Sequence, residues 1–182
     1  MYLFFDTETT GLENPQLVQL AYILSDAGGR VIEQNDFIVK PYGFEIPADS
    51  VKFHGITTEI ANEKGILISE ALENFKRILT KSEYVVGHNV AYDMKVMNLA
   101  FEKFGYRQMF LKKKLICTAN DIKTVRLFPN FMKKITNRQP LSTLYYNLFN
   151  EKLANAHTAN ADTIALYKCF WVLKSKNLLV CN

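Results

Sequence analysis

The sequence predicts an α/β fold: a mixed five-stranded sheet flanked by helices. Two observations lead there. Residues 2–40 hold three strand-like apolar segments, two of them joined by the turn sequence DAGGR, and from residue 69 onward segments of helical spacing alternate with short apolar runs. A hairpin-containing group of strands followed by strand–helix units is the pattern of a sheet that is antiparallel on one side and parallel on the other. With 182 residues and 48% hydrophobic content, residues 1–182 are expected to share one core as a single domain.

The elements follow in order. Strands are expected at Tyr2–Thr7, Leu17–Ser25 and Arg30–Lys40. PYGFEIPADSVKFHGITTEI, with two prolines, reads as an ordered loop entering a short helix. Ser69 reads as an N-cap before apolar residues at 71, 72, 75, 78 and 79, a helical spacing. YVVGHN is a short buried strand broken at Gly87, AYDMKVMNLAFEKF a helix that Gly105 can stop, and KLICT the fifth strand. A short helix near 118–127, a loop from Pro129 to Pro140, a helix near 141–149 and a last helix from about Ala159 to Leu173 complete the chain.

Composition narrows the classes. No apolar run approaches the roughly 18 residues of a membrane span, and no basic-then-apolar leader opens the chain, so a soluble, cytoplasmic protein is expected. Cys117, Cys169 and Cys181 show neither C-x-x-C spacing nor nearby histidines, which disfavours disulfides and zinc and leaves buried thiols at the first two. The net charge of +4 is unevenly spread: residues 103–138 hold ten Lys or Arg against the single acid Asp121, while the rest holds 12 basic and 17 acidic residues. That stretch is either a surface for a polyanion or an ordinary solvated face.

The chemistry concentrates in FFDTETTGL, where a buried strand runs into Asp6 and Glu8. Side chains alternate along a strand, so the two acids share a face. In the helix around AYDMKVMNLAFEKF, residues 96, 97, 100, 101 and 104 stand at i+3, i+4, i+7, i+8 and i+11 from Asp93, and 165, 166, 169, 170 and 173 stand likewise from Asp162. Each helix therefore puts a carboxylate at the start of its buried stripe. One such acid would be an ordinary first-turn residue. Four converging on a partly buried pocket repel unless a cation joins them, and hard oxygen ligands suit Mg²⁺ or Mn²⁺. His157, five residues before Asp162, can stand beside it as a proton acceptor, since imidazole titrates near neutral pH. His88 in VVGHN reads instead as a brace for the turn.

FDTETTGL, GHNVAYD and HTANAD, in that order, resemble the DnaQ-like 3′–5′ exonucleases of the DEDDh type, a family that includes the proofreading epsilon subunit of bacterial DNA polymerase III. FHGIT at 53–57 adds to the likeness. The resemblance implies a ribonuclease H-like fold, metal-binding acids at Asp6, Glu8, Asp93 and Asp162 holding two Mg²⁺ or Mn²⁺ ions, and a general base at His157. It implies nucleotide contacts at Thr9, Thr10 and Leu12, with His54, Asn89 and Tyr92 along the same groove. The implied activity is 3′–5′ hydrolysis of DNA to nucleoside 5′-monophosphates in proofreading or repair, with single-stranded DNA favoured and a DNA polymerase as a possible partner. The chain ends about nine residues past its last helix, so no polymerase-reaching tail is expected. Cys117-Thr118 stands where many relatives have Asp-Thr, outside the catalytic set. The basic stretch would then neutralise phosphates, with Phe104, Tyr106, Phe110, Phe128 and Phe131 available for stacking. An RNA-trimming enzyme of the same fold shares the catalytic residues, and DTETTGL with HGIT leans towards DNA. Retention of all five active-site residues weighs against a silent docking module.

Overall fold

The computed structural model describes residues 1–126 and 134–180. Its centre is a five-stranded sheet of β1 (Tyr2–Thr9), β2 (Leu17–Ser25), β3 (Val31–Ile38), β4 (Tyr84–Gly87) and β5 (Lys114–Cys117), in the order β3-β2-β1-β4-β5. The β1–β2 and β2–β3 pairs are antiparallel; β1–β4 and β4–β5 are parallel. The mixed five-stranded sheet expected from the sequence is therefore present, with β1 two residues longer than expected, so that Glu8 lies within the strand.

Alternation along β1 divides the core. Leu3 and Phe5 pack with α3 (Ile68–Lys81) and α4 (Val90–Glu102), through Leu72, Phe75, Val96 and Phe101. Tyr2 and Phe4 face the other side and pack with α5 (Leu141–Phe149) and α6 (Ala159–Ser175), through Leu144, Leu166 and Phe170. All nine residues of β2 are buried, because this strand lies between two others and has helices over both faces. Two short helices, α1 (Ala48–His54) and α2 (Thr58–Lys64), connect β3 to α3 and enclose a small core of Val18, Ile46, Ile56 and Ala61.

Three expectations are corrected. Ser69 is not the cap of α3: Ile66 bridges in parallel to Val39, and the helix starts directly at Ile68 with no side-chain cap. The helix expected near 118–127 does not form. Asp121 turns its carboxylate back onto the Cys117 N–H (2.7 Å), Ile122 bridges to Leu179, and Val125–Arg126 (β6) pairs with Lys134–Ile135 (β7), which also interrupts the expected loop. Finally, α4 ends at Glu102, so Phe104 lies beyond the helix and is exposed while Val96, Met97, Ala100 and Phe101 are buried. Cys117 and Cys169 are buried free thiols as expected. Pro129 and Cys181 fall outside the described residues. No helix among the described residues is long and apolar enough to cross a membrane.

Candidate active site

The site is built at the end of β1. The parity that aims Phe4 at α6 also aims Asp6 and Glu8 there, and aims Thr7 at α4. The register between β1 and β2 shifts between Glu8 and Thr9, a bulge immediately beside the acids. On the α4 side, Gly87 ends β4 where an added Cβ would stand 2.8 Å from the Val90 side chain. This close approach lets the chain turn through Asn89, in the left-handed region at φ 73°, directly into α4. Asp93 in the first turn of that helix is buried, and its Oδ1 accepts the Thr7 N–H (3.0 Å) and the Thr7 hydroxyl (2.7 Å).

On the other side Thr158 caps α6 by accepting the Ala161 N–H. Gln19, paired with Glu8 across the strands, accepts the Ala159 N–H on its Oε1 (3.0 Å), tying the start of α6 to β2. Asp162 is thereby held against β1. Carboxylate oxygens of Asp6, Glu8 and Asp162 lie within 4.8 Å of one another, a spacing that can hold a metal ion. The entering loop folds over this cluster: the His157 N–H donates to Asp162 Oδ2 (3.0 Å), and the exposed His157 ring stands edge-on to Phe53, with centroids 6.2 Å apart.

Burial and mutual repulsion dominate the electrostatics. Burial pushes the Asp6 carboxyl well above its usual range, and Asp93, Asp162 and Glu8 push it further. Glu8 is raised to about 8, first by burial and then by Asp162 and Asp93. Asp93 is raised to about 7 by burial, against the lowering effect of the two Thr7 hydrogen bonds. Asp162 is raised by burial and relieved in part by the His157 N–H. An all-oxygen donor set that is this reluctant to ionise alone fits a hard divalent cation.

The exonuclease family model RNase_T matches residues 3–170, nearly the whole chain. The chain belongs to this exonuclease family. Among curated proteins it is similar to the PolC-type DNA polymerase III of Listeria monocytogenes, 29% identical over 175 residues, 94% of this chain and 11% of that protein. The PolC-type polymerase of Streptococcus sanguinis is 33% identical over 107 residues, 57% of this chain and 7% of that protein. The chain thus spans about a tenth of these relatives. Among solved structures, E. coli exonuclease I in complex with a dT13 oligonucleotide has a TM-score of 0.78 at 21% identity, covering 97% of this chain and 41% of that one. Its zinc-bound complex with single-stranded DNA has a TM-score of 0.77 at 22% identity, covering 96% and 40%. The expected ribonuclease H-like fold is the fold of these neighbours.

In this exonuclease-family chain the expected nucleotide-contact residues divide into free and engaged groups. Leu12, three residues past the end of β1, is 76% exposed, and Asn89 is exposed at the head of α4. Thr9, Thr10 and Tyr92 have hydroxyls already used within the protein. Tyr92 donates to the Gly11 carbonyl (2.9 Å) and lies 2.8 Å from the Thr9 hydroxyl, and Thr10 accepts the Gln16 N–H. Together they shape the loop that carries Leu12. His54 is buried, with Nδ1 accepting the Ile56 N–H; burial lowers its pKa, opposed by the Thr9 backbone. His88 braces as expected: Nδ1 pairs with the Thr118 hydroxyl (2.9 Å) and Nε2 with the Gln139 carbonyl (2.8 Å).

The structure does not bring all of the basic stretch to the site: Lys103 donates to Gln16 beside the end of β1 and the Arg138 backbone N–H to the Ala119 carbonyl just past β5, but other cations lie far from the acids. Lys113 donates to the Ser82 carbonyl and Lys114 pairs with Glu83, both where β4 begins, while Asp6 lies near the opposite end of β1. Phe110 is a core residue, and Tyr106 packs on that core and hydrogen-bonds Glu73, so neither ring is free to stack on a base. Phe128, Phe131 and Lys133 lie outside the described residues. Gln19, Thr7 and Phe53 escaped the sequence reading; a lone amide within LVQLAYILS was the one signal that pointed to Gln19.

Proposed function

We propose that residues 1–182 form one exonuclease domain that hydrolyses DNA from its 3′ end, releasing nucleoside 5′-monophosphates. The observation that carries this reading is the meeting of Asp6, Glu8 and Asp162 with a loop histidine, His157, whose backbone N–H donates to the last of them. The family match and the DNA-bound exonuclease I neighbours support it, and the PolC-type relatives support a DNA polymerase partner and a cytoplasmic role in replication or repair.

Asp6, Glu8 and Asp162, with Asp93 behind Thr7, would hold two Mg²⁺ or Mn²⁺ ions. Such ions polarise a phosphoryl group and ease deprotonation of an attacking water. The protein's own groups supply the rest. His157, exposed on its loop, accepts the proton of the attacking water. Thr7 fixes Asp93, and Gln19 fixes the end of α6 that carries Asp162. Leu12, on the loop tied down by Tyr92, Thr9 and Thr10, meets the terminal nucleotide, with His54 and Asn89 bordering the same groove.

The test is digestion of 3′- and 5′-labelled DNA and RNA oligomers with Mn²⁺, using Asp6→Asn as the control. Stepwise mononucleotide release from the 3′ end of DNA, faster than from RNA and lost in the variant, is expected. Preferential RNA trimming would reassign the substrate, and no release from either polymer would overturn the enzyme reading.

A further inference from the structure

We propose that the surface where β4 and β5 begin is a second contact for the nucleic-acid strand, gripping phosphates well upstream of the 3′ end held at the carboxylates. The inference rests on the nuclease reading. Residues 103–114 contain five cations and no acid. Three are engaged: Lys103 donates to Gln16, Lys113 to the Ser82 carbonyl, and Lys114 to Glu83. Arg107 and Lys112 are exposed, and among the described residues neither has a carboxylate within ion-pair distance. Both, with Lys113, border one cavity of about 360 Å³ walled by Leu79, Thr80 and Met109 and lined by no acid. Leu111, 72% exposed, also lines it and offers an apolar ledge to a base or sugar.

Position rules out a role at the reacting phosphate. Lys114 pairs in register with Tyr84, and Tyr84 with Tyr2. Asp6 lies four residues further along β1, about 13 Å at roughly 3.3 Å per residue. The acids gather at one end of the sheet, and Arg107 and Lys112 stand at the other. A strand held only by its 3′ end would meet a negative pocket, whereas one long enough to reach Arg107 and Lys112 gains two phosphate contacts there. A guanidinium, planar and weakly hydrated, suits that task.

The experiment compares a trinucleotide with a 30-nucleotide oligo-dT. Binding is followed by fluorescence anisotropy in EDTA and turnover in Mn²⁺, for the wild type and for Arg107→Glu combined with Lys112→Glu. A trinucleotide has only two internucleotide phosphates, spanning at most about 13 Å when extended, and stops short of Arg107 and Lys112, which lie past the start of β1 beside Leu79 and Thr80. The wild type is expected to bind the long strand at least tenfold tighter than the short one. The variant should lose most of that gain and turn over the trinucleotide at an unchanged rate. Its dependence of log affinity on log salt should also be shallower by about 1.4, two phosphates at about 0.7 each. Arg107→Ala, a milder change, should give a partial loss. An undiminished length advantage in the folded variant overturns the proposal, and is the outcome if the surface serves an acidic protein segment instead. Loss of long-strand binding in the variant, with no cleavage of either oligomer by the wild type, would support the surface and overturn the nuclease reading.

Discussion

Replacing Asp6 by Asn is expected to stabilise the metal-free protein while abolishing cleavage. Oxygens of Asp6, Glu8 and Asp162 lie within 4.8 Å of one another. Two unit charges at that separation repel by about 3 kcal/mol at an effective dielectric of about 20. Proton uptake relieves part of this, since Glu8 with a pKa of about 8 is only half ionised at pH 8. A buried amide with imperfect partners costs about 1 kcal/mol. With the repulsion about halved and the amide cost deducted, the net gain is about 0.5 kcal/mol at pH 8, a rise of roughly 1 to 2 °C in melting temperature for a chain of this size. Scanning fluorimetry in EDTA measures it directly. Titration with Mn²⁺ then supplies the second half: the wild type should climb with ion concentration, because an ion that binds only the folded state stabilises it, and the variant should climb much less. A melting temperature that is unchanged or lower in EDTA, or an Mn²⁺ response equal to that of the wild type, would refute the reasoning.

Two further predictions concern the same pocket. Glu8, raised to about 8, and Asp93, raised to about 7, hold protons more tightly folded than unfolded, so their contribution favours folding at low pH and is lost as pH rises through those values. In EDTA the melting temperature should therefore fall between about pH 5 and 9, and saturating Mn²⁺ should flatten the decline; a metal-free protein that gains stability over that range would contradict it. Gln19→Leu keeps the volume but strands the buried Ala159 N–H, at a cost of about 1 to 3 kcal/mol, and loosens Asp162 against β1. It should lower both the melting temperature and kcat, and unchanged values of both would remove Gln19 from the site's support.

The sheet and the meeting of the acids were legible because each rests on a periodicity. Alternation along FFDTET fixes which acids share a face, and the 3.6-residue period after Asp93 and Asp162 fixes which way those helices present them. What was not legible depends on partners distant in the chain. Residues 118–122 look helical by composition but are drawn into a turn by Asp121 and a bridge to Leu179. The hydroxyls of Thr9 and Tyr92 look available to a ligand until the fold sets them against each other and the Gly11 carbonyl. Charge is the extreme case: ten cations within 36 residues look like one surface, yet the sheet directions carry Lys113 and Lys114 to the end remote from Asp6.

The parity of β1 also bears on how the chain avoids misfolding. Slipping β1 by one residue against its neighbours would drive Asp6 and Glu8 among Phe75, Phe101 and Phe110 and turn Phe5 towards α6. Burying two carboxylates without partners costs several kcal/mol for each, comparable to the whole stability of a domain. The acids that suit the strand to chemistry thus also act as a registration mark during assembly, penalising every odd slip. An Asp6→Leu, Glu8→Leu double substitution would erase that mark, leaving a strand apolar on both faces whose pairing only its neighbours could still specify.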